Sequence, residues 1–91
     1  MYRSWDLSDG KWNDVRGFRH FSLDVTGIRS DIRLYGTNGG SPTVDVGKGH
    51  EIGETITMDG LTEIEMVIGF IRAEPLDDGE MPERIELLGV E

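Results

Sequence analysis

Ninety-one residues with 13 glycines, no cysteine and a net charge of −9 leave room for one small domain around one core. A chain this short buries about 60–65% of the surface its unfolded form exposes, so support from partner subunits is expected. The composition excludes disulfides and thiolate zinc sites, and the acid excess argues against a nucleic-acid binder, which needs clustered Lys and Arg.

The chain opens with MYRSWDLSDG, which lacks the apolar run of a signal peptide. No later stretch approaches eighteen consecutive apolar residues, so no membrane span is expected and synthesis in the cytoplasm is. Residues 1–17 hold Tyr2, Trp5 and Trp12, three of the seven aromatics, among polar residues without clear periodicity. They read as an N-terminal arm ahead of a single domain over 18–91. Two uses are open for the tryptophans: capping an end of the core, or burying against a neighbouring subunit, where Trp and Tyr are favoured anchors.

From residue 18 onward, apolar residues recur with period 2 in short segments, the mark of half-buried strands. Phe21, Leu23 and Val25 share one face. Ile32 and Leu34 share another, with Arg33 and Tyr35 opposite. Val44 with Val46, then Ile52, Ile56 and Met58, continue the pattern. Ile64, Met66, Ile68 and Phe70 predict one strand over 63–71, and Ile85 with Leu87 starts a last one. Turn signals separate these segments at Thr26-Gly27, Gly36 to Pro42, Gly47 to Gly49, Asp59-Gly60 and Asp77-Asp78-Gly79. Glu74 to Glu83, with two prolines, reads as an exposed loop. No helical stripe appears. The expectation is an all-β antiparallel sandwich, jelly-roll-like, of seven or eight short strands.

The glycine cluster in IRLYGTNGG invites a phosphate-binding reading. A P-loop would need a lysine after Gly36-x-x-x-x, but Ser41 and Pro42 follow and no helix does. In GKGHEIG the third glycine of a G-x-G-x-x-G pattern falls one residue late, at Gly53. Both are therefore turns, with Asn38-Gly39 a hairpin signal. Counting back from Gly79 and from Gly10, Asp78 and Asp9 fit a calcium loop but Leu76 and Leu7 do not, so the pairs Asp77/Asp78 and Glu63/Glu65 read as surface acids. His20 and His50 stand thirty residues apart; a triad would need Ser22 or Ser30 beside one of them, and no G-x-S-x-G motif supports one. No enzyme activity, cofactor or metal is expected. A sugar-stacking platform is the competing reading, with Tyr35 the one mid-strand aromatic suited to a glycan.

Charge is unevenly placed. Residues 1–50 carry seven basic and six acidic side chains, while residues 51–91 carry two basic (Arg72, Arg84) and twelve acidic. Such asymmetry suits a solvated acidic face, a basic partner surface, or attraction between the two halves of neighbouring copies.

The run FSLDVTGIRSDIRLYGTNGG, with ITMDGLTEIEMVIGFIRAEP and RIELLG after it, resembles small β-sandwich structural modules of tailed-bacteriophage virions. The elements that carry the likeness are Val25-Thr26-Gly27, Gly36 to Gly40, Gly60 to Ile64, Arg72-Ala73 and Ile85 to Gly89. They span about residues 18–90. The Trp commonly found after the glycine turn is replaced here by Ser41-Pro42-Thr43-Val44. The resemblance implies a capsid decoration or cement protein on the virion surface, a homotrimer bridging copies of the major capsid protein. It equally accommodates a tail or baseplate accessory protein.

Overall fold

The structure, a computed structural model, describes residues 1–38 and 49–91. Among these residues the chain forms β1 (Tyr2–Asp6), β2 (Asn13–Asp14), β3 (His20–Thr26), β4 (Ile32–Thr37), β5 (His50–Ile56), β6 (Gly60–Glu65), β7 (Phe70–Pro75) and β8 (Arg84–Val90). Strict alternation makes β3 the clearest strand: Phe21, Leu23 and Val25 are buried while His20 and Thr26 at its ends are exposed. β8 repeats the scheme with Ile85, Leu87 and Gly89 inward.

Two four-stranded antiparallel sheets result, ordered β1-β8-β3-β6 (sheet A) and β2-β7-β4-β5 (sheet B). First pairs with last, second with seventh, third with sixth and fourth with fifth, as if one long hairpin had been folded across a sandwich. The β3–β8 and β4–β7 ladders close each sheet. This is the jelly-roll order, and the expected all-β antiparallel sandwich is present. Its short dimension is 19 Å, which accommodates two sheets about 10 Å apart plus their outward side chains.

The core lies between the sheets. Leu7, Val15, Phe21, Leu23, Val25, Ile32, Ile71, Ile85 and Leu87 are essentially solvent-free. Each large side chain so enclosed contributes about 1.5–3 kcal/mol through burial.

Residues 1–17 are not an arm, which corrects the division at residue 17. β1 runs in full register along β8, from Tyr2 opposite Val90 to Asp6 opposite Glu86. Trp5 is buried, edge-on to Phe18 at 5.2 Å between ring centroids, and packs over Gly89. A Cβ on Gly89 would sit 2.8 Å from the indole, so this strand glycine exists to admit the tryptophan. Leu7 and Val15 also enter the core. Three Asx turns order the intervening chain: Asp6, Asp9 and Asp14 each accept the backbone N–H two residues on, from Ser8, Lys11 and Arg16.

A second correction concerns 63–71. The chain leaves sheet A after Glu65 and enters sheet B at Phe70, so the expected single strand is two strands in different layers. Parity changes on the way. Ile64 faces the core from β6 and Ile71 from β7, seven residues apart, while Phe70 is buried on the outer side beneath the Arg16 guanidinium. Gly36 lies within β4, so the turn starts later than read, and Glu74 and Pro75 finish β7 rather than open a loop. The expected Val44/Val46 strand and the Gly39 half of the hairpin signal lie outside the described residues.

At one end of the sandwich the turns are latched together. The Asp59 carboxylate accepts the backbone N–H groups of Gly27 and Ile28, and the Ser30 hydroxyl accepts that of Glu80. At the other end Gly69 donates its N–H to Asn38 Oδ1 at 2.7 Å, tying the β6–β7 crossing to the end of β4.

Candidate functional site

The three residues expected to touch a partner are scattered. Trp5 is inside the molecule. Trp12 lies half-buried over the outside of sheet B, its ring against Gly49 and 5.4 Å from the Arg72 guanidinium. Tyr2 alone is well exposed, at 74%, on the outer face of sheet A.

The two outer faces differ in chemistry. On sheet B, Arg72 lies 4.5 Å over the Tyr35 ring, with Trp12 also within cation–π range. Arg72 pairs with Glu74, and Arg33 donates to Thr55 and Glu51. Tyr35 is thereby buried and its ring face taken, which corrects its reading as a glycan platform.

On sheet A, strand register sets out the exposed side chains in rows. Tyr2, Val90, His20 and Glu65 form one; Ser4, Leu88, Ser22 and Glu63 form the next. Asp6, Glu86, Asp24 and Leu61 form the third, where Arg84 bridges Asp24 and Glu86. A shallow hollow crosses the first two rows, lined by His20, Ser22, Leu61, Glu63, Leu88 and Val90. Exposed apolar side chains therefore border a polar centre, in which His20 Nε2 meets a Glu63 carboxylate oxygen.

His20, Ser22 and Glu63 thus share one face, the nearest approach to the triad considered from sequence. Among the described residues no hydrogen bond joins Ser22 to His20, and Ser30 instead accepts the Glu80 amide. His50 starts β5 in the other sheet. Among the described residues, no group of three or more His, Asp or Glu side chains is placed to hold a metal ion.

Among the described residues, three carboxyl groups sit below their usual range. The side-chain hydrogen bond from Arg16, with that residue's backbone N–H, holds Asp14 at about 2. The backbone N–H groups of Ile28 and Gly27 lower Asp59, and Ser8 lowers Asp6 through its hydroxyl and its N–H. All three organise turns.

Leu61, Leu88 and Val90 are the face residues that sequence reading missed. The doublet Leu87-Leu88 carried a signal, because neighbouring strand residues face opposite ways and one leucine had to point outward. Compared with protein-family models, curated proteins and solved structures, the chain gives no match.

Proposed function

We propose that this protein is a bacteriophage virion structural protein, a capsid decoration or cement protein that acts by binding, not by chemistry. The observation that carries the reading is the outer face of sheet A, where Tyr2, Leu88 and Val90 stand exposed in adjacent register positions. Supporting it are the jelly-roll order, an architecture that recurs in viral capsid domains, and the strand-and-turn likeness to virion modules. In this reading the face rests on the major capsid protein, with Tyr2 as its aromatic anchor. Copies grouped as trimers at lattice junctions would bridge capsomers, and many modest contacts would add up to a stabilised shell.

The test is co-sedimentation with shells assembled from the major capsid protein of the same genome. The wild-type chain is expected to pellet with the shells and raise their melting temperature. The double variant Tyr2→Ser with Leu88→Ser is expected to stay in the supernatant while remaining folded. Equal pelleting of both would overturn the assignment of the face, and no pelleting of either would overturn the capsid reading.

A further inference from the structure

Edge strands present unpaired N–H and C=O groups, and proteins guard them with shortness, bulges, prolines or lysines. Two of the four edges here are guarded in this way, and the two regular ones differ in charge. β2 is two residues long. β5 is bulged, with residues 52–56 set against 32–34 and Gly53 at φ +67°. β1 is regular and opens with Tyr2 and Arg3. β6 is also regular, pairing with β3 from Gly60 opposite Val25 to Glu65 opposite His20, and among the described residues its other side faces no strand. It contains no bulge, proline or lysine.

Beside this edge a cleft of about 570 Å³ opens between β6 of sheet A and β5 of sheet B. Ile52, Ile56, Ile64 and Leu34 line its floor, and exposed Met58 and Leu61 flank it. Its surroundings are of one sign. From Gly49 to Ile71 the chain has five acidic side chains and no lysine or arginine. Among the described residues Glu54 and Glu65, both on the cleft wall, have no ion-pair partner, and both are exposed.

We propose that the β6 edge is a docking site for an extended cationic segment of a partner protein, added as a fifth strand of sheet A. On the outer face the incoming strand would set Lys or Arg side chains, spaced i and i+2, opposite Glu63 and Glu65. On the inner face it would place apolar side chains into the cleft. Charge selects the occupant. Antiparallel pairing of β6 with β6 of a second copy would bring glutamates against glutamates, which is destabilising, whereas a cationic strand gains cross-strand pairs. The carboxylates thus exclude self-pairing and attract a basic partner. The site lies at the opposite edge of sheet A from Tyr2, shares Glu63 and Glu65 with the outer face described above, and stands whether or not the protein works on a capsid.

The probe is a short synthetic peptide alternating lysine and valine, titrated into the full chain while backbone amide shifts and hydrogen exchange are followed. Binding with protection confined to β6 is expected, weakening steeply with salt. The glutamate–valine peptide should not bind. Glu63→Gln with Glu65→Gln should weaken the lysine peptide roughly three- to tenfold, the loss of the two pairs the strand would make, while the unfolding curve moves by no more than one exposed His20–Glu63 pair. N-methylating alternate amides of the peptide on its ladder side should abolish binding, because strand addition needs those donors. Equal binding of the two peptides or of the N-methylated form, or protection at β1 or β8 instead, would overturn the proposal. So would β6 amides already protected by concentration-dependent self-association without peptide.

Discussion

Sheets A and B share one core yet treat their outer faces in opposite ways. Sheet B pairs its cations on its own surface: Arg33 and Arg72, their side chains 16% and 12% exposed, meet Glu51 and Glu74, and Trp12 and Tyr35 both lie within cation–π range of Arg72. Its edges are a two-residue strand and a bulged one. Sheet A keeps Tyr2, Leu61, Leu88 and Val90 in solvent and ends in two regular strands. A face whose cations are stacked and paired has little left to offer a partner. Exposed apolar groups in register give a partner something to bury, and on this difference rests our proposal that recognition lies on sheet A.

The largest effect that would sharpen the contrast comes from the two tryptophans. Trp5→Ala removes a buried indole from beneath sheet A and is expected to cost about 3–5 kcal/mol, much of the stability of so small a domain. Denaturant unfolding measures it; a loss below 1 kcal/mol would mean the ring is not a core element. Trp12→Ala strips the cover from Arg72 on sheet B. The expected cost is about 1–2 kcal/mol, read by the same titration. If the Trp12 loss equalled that of Trp5, sheet B's outer layer would be a second core rather than a surface lattice.

Acid pH gives the next effect. Asp6, Asp14 and Asp59 have folded pKa values below their unfolded ones, so their stabilisation is complete above about pH 4 and is lost as pH falls through the folded values, about 2 for Asp14. Melting temperature should therefore drop between about pH 4 and 2. Asp14→Asn should flatten part of that slope and cost no more than about 1 kcal/mol at neutral pH, since the Arg16 pair is solvent-screened. An unchanged slope in the variant would remove Asp14 from the account. The smallest stability effect belongs to Tyr2→Ser, expected within about 0.5 kcal/mol of wild type although the site depends on it. A larger loss in thermal unfolding would make Tyr2 structural.

The sandwich was legible in the sequence because β3 and β8 keep strict alternation between a covered and an open face, and β4 sets apolar Ile32 and Leu34 two residues apart. The 66–69 crossing was not, since both sheets look onto the same core and apolar residues recur across the break from Ile64 to Ile71. Nor was the N-terminal segment, where β1 buries one large side chain and β2 has two residues, too few to show a period. The Asx turns at Asp6, Asp9 and Asp14 were the available sign of order there. Of the proposed recognition surface, Tyr2 was legible as an unexplained aromatic. The pairing that sets Tyr2 beside Val90 joins residues eighty-eight positions apart, and no local pattern carries it.

Amide hydrogen exchange of the free protein and of the protein bound to capsid shells tests the central claim most directly. Protection gained in β1, β8 and β3, with β4 and β7 unchanged, is the predicted result. New protection on β4 and β7, with sheet A unchanged, would contradict it.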